Sequence, residues 1–202
     1  MLTVYHLNES RSTRVLWLLE ELDVPYQVVR FQRDATRRAP PELAAVHPLG
    51  KAPVIRDGEL VLAESGAIAE YLVERHGGGR LAPRPDTGAW GLYLHWLHFA
   101  EGTAMLPLLL ELFLGMGLIP GGEDGRLGGF VAAELAKQLD YVERELGEKE
   151  HLLGAFTAAD VMMGFPLELA ERQGHLAGRP RLVAYVERLR ARPAYQRAQA
   201  AA

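Results

Sequence analysis

Cysteine is absent from all 202 residues. That excludes a disulfide framework, a protein thiolate nucleophile, a CxxC redox pair and a thiolate metal site. Any sulfur chemistry has to arrive with a bound molecule. A surplus of positive charge is also missing: 22 Lys+Arg stand against 26 Asp+Glu, a formal net charge of −4. A nucleic-acid-binding domain would carry a basic excess, so no nucleic-acid partner is expected. The cluster Arg30, Arg33, Arg37 and Arg38 reads as a solvated loop. Long uninterrupted apolar runs are lacking too. The most apolar stretch, Met105 to Ile119, is broken by Pro107, Glu111, Gly115 and Gly117 and is too short to cross a bilayer. The opening residues, MLTVYHLNESRSTR, lack the charged start and apolar core of a secretory signal. The expectations are no membrane association and a cytoplasmic location.

What is present begins with alternating strand and helix signals over the first 80 residues. Leu2 to His6 carries β-branched and aromatic residues and reads as a strand. Ser12 to Leu22 has apolar residues at 15, 16, 18, 19 and 22, the spacing of a helix with one buried face. Ser10 or Ser12 could cap it, and Asp23-Val24-Pro25 stops it. Tyr26 to Phe31 reads as a second strand, which makes a parallel βαβ unit. Arg33 to Leu49 is a proline-bearing loop with one helical turn near Glu42 to Val46. Two apolar runs, Ala52 to Arg56 and Leu60 to Ala63, flank Asp57-Gly58 and predict a β-hairpin. Ser65 to His76 has helical spacing and ends at three glycines.

Residues 81–87 contain Pro83 and Pro85 and read as a linker. Helices are predicted at about 88–116, 127–147, 158–173 and 179–191, with a short one after Pro193. Thr157 and Asp160 have capping-box spacing, and Phe156 and Val161 stand where a hydrophobic staple would. The fold class is therefore α/β plus all-α. A βαβ-ββα domain over 1–80 precedes an all-helical domain over 88–202.

Three segments of the first domain carry candidate chemistry. His6 to Ser12 follows the first strand and leads into a helix, where backbone N–H groups and the helix dipole favour an anion. A serine O–H there can donate to a thiolate and lower the thiol's pKa; the same serines could serve only as caps. Ala52-Pro53 opens a strand, and a proline there must be a first or edge residue. Glu64-Ser65 joins strand four to the next helix. A carboxylate and a hydroxyl at a helix start suit a ligand carrying both an ammonium and a carboxylate; capping by Ser65 is the alternative. His95 and His98 are spaced i, i+3 on a predicted helix without a third ligand, so no metal is expected.

In their order and intervals, SRSTRVLWLLEEL, HPLGKAPVI, LAESGAIAEYL and FTAADVMM resemble the glutathione transferase family over nearly the whole chain. The first stretch looks most like the bacterial and fungal branch with a Ser-Arg-Ser run at the start of helix one. The resemblance implies a thioredoxin-like N-terminal domain and a homodimer. It implies glutathione as co-substrate, with no covalently bound cofactor. By position, Ser10 lies where serine-using classes keep the hydroxyl that supports the glutathione thiolate, with Arg11 and Ser12 as adjacent candidates. Ala52 precedes the family's cis proline, Pro53, and its backbone would pair with the cysteinyl unit. Lys51 would reach the glycyl carboxylate, and Val54 closes that turn. Glu64 and Ser65 match the pair that holds the γ-glutamyl end. Tyr5, inside its strand, reads as packing.

With no cysteine, mixed-disulfide chemistry on the protein is excluded, which leaves activation of glutathione's own thiol. An apolar electrophile is the expected second substrate. Its pocket would be walled by Leu7, Trp96, Phe99 and Met105, with Leu106 a further candidate. The alternatives are a glutathione-dependent peroxidase or isomerase on the same scaffold, or a non-catalytic interaction protein that resembles the family.

Overall fold

The computed structural model describes residues 1–120, 122 and 125–202. It divides into two compact units, Met1–Arg84 with Leu189–Ala202, and Pro85–Arg188. In the first unit the elements run β1 Leu2–Leu7, α1 Ser12–Glu21, β2 Tyr26–Phe31, α2 Glu42–Val46, β3 Val54–Asp57, β4 Leu60–Ala63 and α3 Ser65–Arg75. The second unit holds α4 Gly88–Phe99, α5 Met105–Gly115, α6 Arg126–Leu146, α7 Ala158–Arg172 and most of α8 Pro180–Arg190. The last helix, α9 Pro193–Ala201, returns to the first unit.

The four strands form one sheet in the order β2-β1-β3-β4. β1 and β2 run parallel, as a βαβ crossover requires, while β3 is antiparallel to both β1 and β4. Asp57 pairs with Leu60, so the hairpin loop is Gly58-Glu59, and Gly58 takes the positive φ of 58° that the turn needs. Val4 and Ile55 from the sheet are fully buried, as are Leu16 and Leu19 of α1 and Ile68 and Leu72 of α3. Burying each such side chain is worth about 1.5–3 kcal/mol. The apolar spacing read from Val15, Leu16, Leu18 and Leu19 is the buried face of α1.

The tail helix covers a further face of α1. Trp17 meets Tyr195 edge to face, with ring centroids 5.1 Å apart. Glu20 pairs with Arg197 at 2.6 Å, and Glu21 with Arg192 at 2.6 Å.

In the second unit the expected single helix over 88–116 is instead α4 and α5 joined by a π-helical segment, Ala100–Ala104. A π turn adds a residue per turn and shifts the faces of the two halves relative to one another. The joined helical run Gly88–Gly115 is long and apolar enough by length and composition to cross a membrane. A packed interior helix meets the same test, and Tyr93, Trp96, Leu97, Ala100, Met105 and Leu108 along it are buried within the protein.

The Thr157–Asp160 capping box forms. The Asp160 carboxylate accepts from the Thr157 N–H at 2.8 Å and its hydroxyl at 3.0 Å, from the Leu152 N–H at 3.0 Å and from the Tyr185 hydroxyl at 2.5 Å. Burial first, then the Asp160 charge, pushes the Tyr185 phenol well above its usual pKa.

Candidate active site

Tyr5 of β1 pairs with Val54 of β3, and Val54 pairs with Ala63 of β4. That rung brings three segments to one end of the sheet. Leu7 to Ser12 leave β1 there, Lys51 to Pro53 enter β3 there, and Glu64-Ser65 leave β4 there. The order read from the sequence is thereby turned into proximity: the β1–α1 turn, the Ala52–Pro53 bond and the start of α3 share one edge. The Ala52–Pro53 peptide is cis.

At the β1–α1 turn, Ser10 and Ser12 form a buried hydroxyl pair, Oγ to Oγ 2.7 Å. Ser10 Oγ donates to the Leu7 carbonyl at 2.7 Å and accepts from the Ser12 N–H at 3.3 Å. Ser12 Oγ accepts from the Leu7 N–H at 3.2 Å and lies 2.9 Å from His6 Nδ1. Ser12 is fully enclosed, whereas Ser10 keeps 6% of its surface exposed. Neither is the N-cap: Arg11 holds that position and Ser12 opens the helix. Burial, and to a lesser extent the charge of Arg30, lowers the pKa of His6. The imidazole is therefore neutral near pH 7.

Glu64 is the N-cap of α3, at φ 74°, a left-handed value uncommon for a side-chain-bearing residue, and Ser65 begins the helix buried behind it. The alternative of Ser65 as the cap does not hold: its N–H and hydroxyl sit in the first turn. The Glu64 carboxylate is exposed and acts electrostatically on Arg11. Burial lowers the Arg11 pKa and the Glu64 charge opposes that shift. Lys51 is exposed, Pro53 is buried and Val54 is fully buried.

The arginine cluster is not merely solvated. Arg33 donates its backbone N–H to Asn8 Oδ1 at 2.7 Å and its Nε to the Asn8 carbonyl at 3.2 Å, and Arg37 meets Glu9 at 2.5 Å. These contacts fasten the Asn8-Glu9 turn that carries Ser10. They span 25 or more residues, which no local pattern reveals. His6 opens the segment singled out in the sequence, but strand alternation gives it no part beyond an inward place on β1.

Residues 1–74 match the family described as Glutathione S-transferase, N-terminal domain. Over 192 residues the chain is 34% identical to Glutathione S-transferase 3 of Schizosaccharomyces pombe, covering 89% of this chain and 78% of that relative. The chain belongs to the glutathione S-transferase family. A crystal structure of a glutathione S-transferase from Actinobacillus pleuropneumoniae is similar over 99% of this chain and 92% of its own, with a TM-score of 0.90 at 34% identity. A glutathione transferase family member from Pseudomonas fluorescens, solved with two glutathione bound, is similar over 98% of this chain and 91% of its own, with a TM-score of 0.84 at 26% identity.

In this glutathione S-transferase family member the residues expected to wall a second pocket are spread between the units. Leu7 is buried in the first, its backbone taken up by the two serines. Trp96 is buried in the second and stacks on Tyr141, centroids 5.5 Å apart, while Met105 is fully enclosed and Leu106 is exposed. Phe99 lines a cavity among α4, α5, α6 and α7, together with Leu108, Leu139 and Met163. It offers about 10 Å³ to the centre of a water molecule, enough for one water and too little for an aromatic substrate. His95 Nε2 meets the Tyr141 hydroxyl at 3.0 Å. Among the described residues no three His, Asp or Glu are grouped to hold a metal.

Proposed function

We propose that this protein is a glutathione transferase of the serine type, ionising the thiol of bound glutathione for attack on an apolar electrophile. The observation that carries the reading is the Tyr5–Val54–Ala63 rung, which gathers a helix-start hydroxyl, an exposed lysine and a carboxylate–hydroxyl pair at one sheet end. Ser10, the less enclosed of the two serines, is the group that would donate to the sulfur, with Arg11 beside it as added positive charge. Lys51 would meet the glycyl carboxylate, with Val54 closing that turn; the Ala52 backbone ahead of Pro53 would meet the cysteinyl unit, and Glu64 with Ser65 the γ-glutamyl ammonium and carboxylate. The Pseudomonas fluorescens relative, solved with glutathione, supports that ligand.

A free thiol ionises near pH 8.5, so a depression of about two units asks for about 2.7 kcal/mol of preference for the thiolate. One hydroxyl donor and a helix N-terminus are of the right size to supply it. The thiol proton leaves to solvent. The thiolate then forms the S–C bond as the electrophile's leaving group departs with its electron pair. We assign the protein to the cytoplasm as a homodimer on the family pattern.

The test has two parts. Calorimetry with glutathione should show binding at millimolar ligand or below; no heat at that concentration refutes the assignment and favours an interaction protein. A panel of an aryl halide, a hydroperoxide and a maleyl diketone separates transferase from peroxidase and isomerase. Ser10→Ala should lower turnover at neutral pH by about tenfold or more while leaving glutathione affinity nearly unchanged.

A further inference from the structure

Resting on that assignment of Ser10, the geometry points to His6 as a positioning residue: through Ser12 it sets the direction in which the Ser10 hydroxyl proton faces. The reasoning is an account of protons and lone pairs. Each serine hydroxyl has one proton to give and two lone pairs to receive. One lone pair of Ser12 Oγ is filled by the Leu7 N–H at 3.2 Å, and one of Ser10 Oγ by the Ser12 N–H at 3.3 Å. The remaining partners of Ser12 Oγ are His6 Nδ1 at 2.9 Å, Ser10 Oγ at 2.7 Å and the Leu7 carbonyl at 3.3 Å.

Two arrangements satisfy the His6–Ser12 and Ser12–Ser10 contacts, and only the first also leaves the Ser10 proton for the Leu7 carbonyl. If His6 Nδ1 carries the proton, it fills the second lone pair of Ser12. Ser12 must then donate, to Ser10 Oγ or to the Leu7 carbonyl, and Ser10 cannot donate to Ser12. The Ser10 proton is left with the Leu7 carbonyl, 2.7 Å away, or an incoming sulfur. When it swings outward, Ser12 can take over at that carbonyl. If Nδ1 is instead bare, it draws the Ser12 proton inward, and the free lone pair of Ser12 draws the Ser10 proton after it. The chain then runs away from the ligand. The Nδ1–H form of His6 is therefore the one that presents a donor to a thiolate. His6 and Ser12 are both enclosed, at 3% and 0% exposure, so no water competes for these bonds. Hydroxyls linked in one direction also polarise one another, which strengthens the outermost donor.

The decisive measurement is ultraviolet titration of the thiolate in the glutathione complex, with calorimetry for affinity and a pH profile of kcat. His6→Phe removes the Nδ1 donor and should raise the bound thiol's pKa by about one unit, a tenfold loss of thiolate well below that pKa. Glutathione affinity should stay within about twofold, and kcat should recover at high pH. Ser12→Ala should match it, and the double variant should be no worse than either single, because both cut one chain. His6→Asn, whose amide can place an N–H where Nδ1–H stands, should keep most of the depression. An unchanged thiol pKa in Ser12→Ala and in whichever His6 variants fold, with Ser10→Ala raising it, overturns the role of His6 while leaving Ser10 in place. An unchanged pKa in Ser10→Ala overturns both.

Discussion

Glu21 of α1 and Arg192, 171 residues later, form a two-pronged ion pair: Nε to Oε1 at 2.6 Å and Nη2 to Oε2 at 2.9 Å. Glu21 Oε1 also accepts from Trp17 Nε1 at 2.8 Å, and its side chain is only 9% exposed. The pair fixes the segment that leads into α9.

Arg192→Ala should therefore destabilise the first unit by about 1–3 kcal/mol, because it leaves an enclosed carboxylate with the indole alone. Arg192→Lys should recover less than half of that loss, since an ammonium cannot span both oxygens. Urea denaturation followed by tryptophan fluorescence measures both. Equal stability of the three proteins would show that α9 is held by the Trp17–Tyr195 and Glu20–Arg197 contacts without the Glu21–Arg192 pair.

Glu64→Ala removes the carboxylate assigned to the ligand ammonium. The expected result is glutathione binding weakened by about tenfold, or more, with the thiol pKa of the complex nearly unchanged. Glu64→Gln should lie between. Calorimetry gives the affinity and the thiolate titration gives the pKa, so loss of grip and loss of activation are separable.

Asp57, at the end of β3, accepts at one oxygen from His76 Nε2 at 2.6 Å and from the Tyr71 hydroxyl at 2.9 Å. The His76 bond first, then the Tyr71 bond, lowers the pKa of Asp57. A lowered carboxyl contributes stability that is complete above the unfolded value, near 4, and lost as pH falls through the folded one. The unfolding midpoint of the native protein should thus drop on acidification below about pH 4 more steeply than that of Asp57→Asn. Parallel curves would show that the hairpin and α3 are joined by packing alone.

Much of the first unit was legible in the sequence because its elements are short and cleanly marked. The β-branched run at Tyr26–Phe31, the Asp57-Gly58 turn and the glycines after α3 each dictate local structure by themselves. The break between α4 and α5 was not legible. Apolar residues on all sides of Met105–Leu114 leave no period from which to sense a shifted face, and Gly102 and Pro107 weaken a helix there without saying that it bulges rather than stops. The candidate site divides the same way. Ser10, Glu64 and Ser65 stand out by segment order and Lys51 by the resemblance; the part of Arg33 depends on β2 lying beside β1, and that of His6 on how the β1–α1 turn folds back. Nor does an amphipathic pattern name its partner, so α9 read as one more helix of the second domain.

The placement of α9 sets a timetable. Chains emerge from synthesis N-terminus first, so α1 and the sheet are available long before residues 189–202. Until those last residues arrive, Trp17, which is 2% exposed in the finished fold, lacks its cover, and Glu20 and Glu21 lack their arginines. The first unit to be made is thus the last to be completed.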